Sequence, residues 1–434
     1  MSLRRIALDV LLEITQGGKY ANLALKSALK SAEHSDAAWV SALVYETLDR
    51  LILIDYIIDA HAKGKMNPKI RGILRLGVCQ ALFMDTPESA ACNETVKLTS
   101  EIGKGALKGF VNGVMRNICR TGLDSLKLPD DPIDRLSVKH SYPRWLAEEY
   151  YNKYGVEFTE QMLSYRHTGM TIRAQAPYTS AELEESLRTR GLPYMRGNLI
   201  PDAFKLERGF DVQNDELFTS GKLTVQSESA MLVCRACEPK RDMYLLDACC
   251  APGGKTAYLS MLMENTGRID AWEVHPHRAK LAENTLLRLG VKNAVVKVRD
   301  ASASTDDGDG IYDALLLDVP CSGLGVLGKP DVRYAKSPET LDELSILQYS
   351  ILSNCCKLVK VGGAIIYATC TVSSRENECV IDRFISEHKD FCAEGLAECV
   401  PECLKARVKN SMLQLFPHID DTEGFFIARI VRKA

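Results

Sequence analysis

Apolar positions recur at helical spacing from the start of the chain. Ile6, Val10, Leu11 and Ile14 share one face, as do Leu23, Leu25, Ala28 and Leu29. Ser35 and Asp36 are candidate N-caps for a helix from Ala37 to Leu48. A further helix spans Ile70 to Phe83, with Pro87 beyond its end. This periodicity predicts an all-α domain over residues 1–127. Lys127-Leu-Pro-Asp-Asp-Pro132 then reads as a linker. Residues 135–220 mix a strand-like stretch, Thr171 to Ala176, with a helical one, Ala181 to Arg188, and predict a small α+β connector.

From 221 to 434 the period alternates. Short apolar runs at Tyr244–Ala248, Arg268–Trp272, Ala294–Val298, Tyr312–Leu317 and Ala364–Tyr367 predict strands. Helical stretches near 257–264, 277–289, 340–358 and 376–387 separate or follow them. Strand–helix alternation predicts a mainly parallel, doubly wound α/β sheet of Rossmann-like type. The whole chain is thus multidomain.

Composition narrows the function classes. The 434 residues are 46% hydrophobic and 26% charged, which excludes wholesale disorder and a rod. A net charge of −3 excludes coating of nucleic acid by bulk charge, but leaves room for a local basic surface. Asp9 interrupts the first apolar stretch, and no run approaches a membrane span, so a cytoplasmic protein is expected, with no membrane partner. The 15 cysteines are then mostly free, buried thiols. Cys234 and Cys237 have metal-like spacing, but no second pair completes a site, so no metal is expected and buried helical cysteines are the reading. Trp39, Trp145 and Trp272 are expected in cores.

In a doubly wound sheet, ligands bind at the carboxyl ends of the strands. The first strand runs into Asp247-Ala-Cys249-Cys250-Ala251-Pro252-Gly253-Gly254-Lys255-Thr256. Its glycines admit a ligand close to the backbone, and Lys255 offers a cation near a helix N-terminus. The spacing is neither that of a P-loop nor of a dinucleotide turn. Glu273 at the second strand end suits a ribose diol, and Asp300 at the third suits an adenine amine. Without a phosphate cradle, S-adenosylmethionine fits this order better than NAD or ATP. The fourth strand leads to Asp318-Val-Pro-Cys321-Ser-Gly and the fifth to Thr369-Cys370-Thr371, so two cysteines follow adjacent strand ends.

These motifs resemble those of the Fmu/Nol1/Nop2/Sun family of RNA cytosine-5 methyltransferases. The resemblance continues through Lys329-Pro-Asp-Val-Arg333, Glu376-Asn-Glu378 and Glu423-Gly-Phe-Phe426, and covers about 220–434. Leu76–Gln80, Asn93–Val96 and Gly109–Arg116 resemble the NusB-like RNA-binding helical domain, and Ser141–Leu146 the segment that follows it in bacterial members acting on 16S ribosomal RNA. Cys250, Glu273 and Glu423 depart from the more common Ala, Asp and Asp.

The resemblance implies methyl transfer from S-adenosylmethionine to C5 of an unpaired or flipped cytidine in 16S ribosomal RNA. It implies that Cys249, Cys250, Ala251, Pro252, Gly253, Gly254, Lys255, Glu273, Arg278, Asp300 and Asp318 hold the cofactor. It makes Cys370 the nucleophile at C6, Cys321 the base for release, and Asp318 the group facing cytosine N3. DNA cytosine-5 enzymes use the Pro-Cys thiol as nucleophile, so the swapped assignment stays open. A tRNA cytidine and a non-catalytic RNA-binding or chaperone role are the alternative functions. Two basic groups are candidate RNA contacts: Lys63, Lys65, Lys69, Arg71 and Arg75, and Lys104, Lys108, Arg116 and Arg120.

Overall fold

The computed structural model describes residues 2–30, 32–166, 169–206, 210–304, 308–326 and 329–433. They form two compact units, one of residues 1–165 with 328–337, the other of 166–327 with 338–434.

The first unit is helical: α1 (Leu3–Thr15), α2 (Ala21–Ala28), α3 (His34–Asp49), α4 (Leu51–His61), α5 (Pro68–Phe83), α6 (Glu88–Glu101), α7 (Lys108–Thr121), α8 (Pro132–His140), α9 (Arg144–Tyr154) and α10 (Val156–Ser164). Local chemistry sets several starts. Asn67 accepts from Lys69 N ahead of Pro68, and Asp131 accepts from Asp134 N ahead of Pro132. Leu8, Leu11, Leu43, Val44, Ile54, Ile73 and Met115 are buried in one core, as the periodicity requires. The helix expected from Ala37 instead starts at His34, and neither Ser35 nor Asp36 caps it. Both lie in its first turn, where the Asp36 carboxylate favours the positive end of the helix dipole. Trp272 is fully buried, but Trp39 and Trp145 are only half-buried, and the Arg4 guanidinium lies 5.1 Å from the Trp39 ring centroid.

The structure divides the chain differently from the expected 1–127, 135–220 and 221–434. Helices α8–α10 belong to the helical unit. Ser141 Oγ accepts from Leu53 N at 3.0 Å, so the turn after α8 is bonded into α4. A short helix far down the chain, Pro330–Tyr334, also belongs there. Asp331 accepts the Ala21 N–H at 2.9 Å at the start of α2. Arg333 pairs with Asp49 at 2.8 Å and lies over the Tyr142 ring, and Tyr334 donates to Ser141 O. These buried polar contacts explain the Lys-Pro-Asp-Val-Arg stretch as structural.

The second unit holds two sheets. A four-stranded antiparallel sheet has the order β2 (Tyr194–Arg196), β3 (Ala203–Leu206), β1 (Met170–Ala174) and β4 (Leu223–Val225), and α11 (Ser180–Thr189) opens on a capping box between Thr179 and Glu182. After a short α12 (Glu216–Thr219) and α13 (Glu228–Ala236), the chain enters the main sheet. Its strands are β5 (Tyr244–Asp247), β6 (Arg268–Glu273), β7 (Ala294–Val298), β8 (Tyr312–Asp318), β9 (Val359–Thr369), β10 (Phe391–Ala393), β11 (Met412–Gln414) and β12 (Phe426–Arg432). The order is β10-β12-β9-β8-β5-β6-β7, with β11 also on β12. Strands β7 through β9 are parallel, and β12 is antiparallel to β9. Intervening helices are α14 (Gly254–Leu262), α15 (Pro276–Arg288), α17 (Pro338–Cys355) and α18 (Glu378–Glu387); α16 is Pro330–Tyr334. The five parallel strands are those the apolar runs predicted. No helix among the described residues is long and apolar enough to cross a membrane.

Candidate active site

The chain order reverses between β5 and β8: β6 and β7 lie on one side of β5, β8 and β9 on the other. A crevice opens at such a switch point, beyond the strand carboxyl ends. Register brings the ends level. Asp247 pairs with Leu316, and Asp318 with Ala368, so Asp318 ends its strand while Lys255, Cys321 and Cys370 lie beyond theirs.

The turn after β5 is built as a cradle. Cys250 N donates to Trp272 O at 2.8 Å and Gly253 N to Cys250 O at 2.7 Å. Gly253 has φ +98°, a left-handed conformation, and a Cβ there would meet Ala282 O at 3.1 Å. Asp247 is buried, and Thr256 Oγ1 donates to its Oδ2 at 2.6 Å. The Cys249 backbone N–H lies near the carboxylate, while Oδ1 makes no hydrogen bond of its own. Burial raises the Asp247 pKa to about 6, against the lowering effect of Thr256. Burial also pushes the thiols of Cys249 and Cys250 well up, so these two are inert at neutral pH.

Glu273, buried at the end of β6, accepts from His275 N at 3.0 Å and pairs with Arg278 at 3.2 Å; Arg278 also donates to Ala251 O. Arg278 therefore ties the acid to the glycine turn. Asp300 accepts from the Ser302 N–H and hydroxyl at 2.8 and 2.6 Å. Lys255 was expected as a cation open to an anionic group. Instead its Nζ lies 2.7 Å from Asp318, with the Phe425 ring centroid at 5.2 Å. Burial disfavours the ammonium, but the Asp318 charge outweighs it and the pKa rises.

The two candidate cysteines meet. Cys321 Sγ lies 3.1 Å from Cys370 Sγ, and the Cys370 N–H donates to Cys321 Sγ at 3.2 Å. The hydrogen bond with Cys370, then burial, pushes the Cys321 thiol well above its ordinary pKa. The loop beyond Cys321 is pinned by Gly325 N to Cys370 O at 3.0 Å and Gly424 N to Gly325 O at 2.9 Å. A Cβ on Gly325 would meet Gly424 O at 2.0 Å, which accounts for the glycine of the C-terminal Glu-Gly-Phe-Phe stretch. Glu423 accepts from Ser227 Oγ at 2.9 Å. Cys234 and Cys237 are buried along α13 and its C-cap, where their thiols donate to backbone carbonyls.

Sequence reasoning gave no role to Asp247, Glu376 or Gln348. Asp247 and Glu376 were visible as motif members. Gln348 carries no signal, since a buried polar residue on a long helix looks like any surface glutamine.

A Rossmann-like sheet with a glycine turn, an acid at the end of β6 and a pair of adjacent thiols at the switch point defines an S-adenosylmethionine-dependent methyltransferase. The buried, unsatisfied Asp247 Oδ1 and the open face at Gly254, where a Cβ would meet nothing within 4 Å, fit a cofactor carrying a cationic amino group and a flat nucleoside. The model of the 16S rRNA methyltransferase RsmB/F family matches residues 234–431, and that of the NusB family residues 1–120. The chain is 37% identical over 443 positions to the probable ribosomal RNA small subunit methyltransferase B of Bacillus subtilis, covering 100% of this chain and 99% of that protein. It is 32% identical to the corresponding Synechocystis protein, covering 99% of each. The crystal structure of PH0851 superposes with a TM-score of 0.82 at 25% identity, over 100% of this chain and 99% of that one. The chain belongs to the 16S rRNA methyltransferase RsmB/F family, with a NusB domain at its N-terminus.

Proposed function

We propose that this enzyme methylates C5 of one cytidine in 16S ribosomal RNA, in the cytoplasm, through a covalent adduct between Cys370 and C6. The observation that carries the reading is the pair of thiols 3.1 Å apart beside the Lys255–Asp318 ion pair.

S-Adenosylmethionine supplies the methyl group as a sulfonium electrophile, held by Asp247, Glu273 and Asp300 at the ends of β5, β6 and β7. Cytosine C5 attacks such a methyl poorly until a thiolate adds across C6. Either thiol of the pair can donate to the other, and the raised pKa of Cys321 favours Cys321 as the protonated partner and Cys370 as the nucleophile. As its sulfur bonds to C6, charge develops on the ring at N3 and O2. N3 takes the proton that the Cys370 thiol gives up, the Asp318 carboxylate accepts that N–H, and the Lys255 ammonium faces the developing charge. The bond to Cys370 is the first cause of the raised Cys321 pKa, so once Cys370 is bonded to carbon the Cys321 proton passes to solvent. C5 takes the methyl group from the sulfonium, and the Cys321 thiolate takes the C5 proton. The C5–C6 double bond reforms as the Cys370 thiolate leaves, and N3 returns its proton to Cys370, so one proton is released for each methyl transferred.

The target base must leave its stack to reach these groups, which favours an unpaired or flipped cytidine. On the helical unit, α7 is the better RNA surface of the two basic groups. Arg71 and Arg75 are bound by Asp55 and Asp59, whereas Lys104, Lys108, Arg116 and Arg120 are exposed, next to half-exposed Phe110. Bisulfite mapping of ribosomal and transfer RNA, with and without the gene, tests the assignment. Loss of one 5-methylcytidine from 16S RNA is expected. Loss from tRNA alone would refute the substrate.

A further inference from the structure

Glu376 is fully buried seven residues past the end of β9, and among the described residues its hydrogen-bond partners include no cation. A buried carboxylate is costly unless every lone pair has a donor. Here each does. Oε1 accepts from Ser322 N at 2.8 Å and from Gln348 Nε2 at 3.0 Å, and Oε2 accepts from Ser322 Oγ. Ser322 is the residue next to Cys321. Gln348 also donates to Pro320 O at 2.9 Å, so the peptide on the other side of Cys321 is held through the same group. The Tyr367 hydroxyl donates to the Glu376 backbone carbonyl at 2.6 Å, and Ser322 Oγ lies 2.9 Å from Thr371 Oγ1. Tyr367 and Thr371 flank Cys370 on β9 and just past it.

We infer that Glu376 is a positioning residue that fixes the Pro320–Ser322 loop and so sets the Cys321 thiol against Cys370. The donor inventory explains the residue type. A backbone N–H, a hydroxyl and an amide N–H all point at one side chain, which must accept on both oxygens. Glutamine is the nearest substitute. Its oxygen can take the two N–H donors, and Ser322 can turn its hydroxyl proton to Thr371 and accept from the new amide. An alanine leaves the Ser322 N–H buried without a partner. The inference rests on the covalent reading above, with Cys321 acting in release.

The test compares Glu376→Ala, Glu376→Gln and Ser322→Ala in the full-length enzyme, in wild-type and Cys321→Ala backgrounds. A misplacement near 1 Å costs about 100-fold, so Glu376→Ala is expected to lose kcat by about 10- to 100-fold while S-adenosylmethionine affinity stays within about twofold. Glu376→Gln is expected to recover most of that loss. In the Cys321→Ala background, Glu376→Ala is expected to add no further loss in single-turnover methyl transfer, because it acts through the absent thiol. Wild-type kcat in Glu376→Ala overturns the inference. So does glutamine as impaired as alanine, which gives the role to the charge, and so does a fully multiplicative loss with Cys321→Ala. If Glu376→Ala fails to bind cofactor through misfolding, Ser322→Ala decides. It removes one of the three bonds and is expected to slow turnover by about 3- to 10-fold with cofactor affinity kept; unchanged turnover refutes. The covalent reading fails separately, through the absence of a denaturation-resistant RNA adduct in Cys321→Ala.

Discussion

Asp247→Asn should make the protein more stable and its cofactor binding weaker. Asp247 is 1% exposed, and its Oδ1 has no hydrogen bond. Burial lifts its pKa from 3.8 to about 6. The native carboxyl therefore holds its proton more tightly than the unfolded one. Between about pH 4 and 6 the native state binds more protons, so stability falls as pH rises through that window. At about 1.4 kcal/mol per unit, a two-unit shift costs about 3 kcal/mol once the group is ionised. Asparagine carries no charge, and Thr256 can still donate to its oxygen. The variant should be about 1–3 kcal/mol more stable than wild type at pH 7.5, with the difference vanishing near pH 4. Denaturant unfolding of both proteins across that range reads the difference directly, and pH effects of other groups cancel. Calorimetry should show S-adenosylmethionine binding weakened about 10- to 100-fold, as for loss of a charge-assisted hydrogen bond. A variant no more stable at pH 7.5, or a stability difference that does not change between pH 4 and 6, refutes the account of Asp247 as a carboxylate held at a cost for the cofactor.

Three further outcomes are expected. Cys370→Ala should abolish methylation and form no adduct, while Cys321→Ala should transfer methyl and then stall as a protein–RNA adduct visible on denaturing gels; the mirror image would reverse the two roles. Asp300→Ala and Glu273→Ala should each weaken S-adenosylmethionine binding by about 1–3 kcal/mol; unchanged calorimetric affinity in both would remove them from the cofactor site. Reversing Lys108, Arg116 and Arg120 to Glu should lower RNA affinity and flatten its salt dependence, whereas Lys63→Glu with Lys65→Glu should do so less; equal effects would take α7 out of the interface.

The parallel strands were legible because each carries a short apolar run, buried on both faces in β5, β6 and β8 though not in the edge strand β7. Ala294–Val298 coincides with β7, and Arg268–Trp272 falls one residue short of β6. β10 and β11 were not legible, since three residues carry no period. The boundary at 135 failed for a different reason. Pro and Asp residues at 127–132 do break the helices, but a break in the chain is not a break in packing. The Ser141 hydroxyl bonds Leu53 N across that break, and Asp331 and Arg333 return to α2 and α3 from 310 and 284 residues away. No local pattern records such pairings.

The site shows the same division between residue type and residue partner. Acids and thiols at strand ends were visible because a parallel sheet places successive carboxyl ends together, so spacing alone predicts a cluster. Their partners were not visible. Lys255 and Asp318 are 63 positions apart, and only the register of β5 against β8 makes them an ion pair rather than an open anion site with a separate base-binding acid. Arg71 and Arg75 look like an RNA patch because the stretch from Lys63 to Arg75 has no acid. Their acids sit on α4, one helix earlier, and Asp55 bonds both guanidiniums. A basic run read along the chain therefore overstates its field whenever a neighbouring helix presents carboxylates at matching height. On α7, Lys108, Arg116 and Arg120 have no such partner among the described residues, and neither do Lys63, Lys65 and Lys69, so it is the two arginines of the denser run that the fold withdraws from the proposed RNA surface.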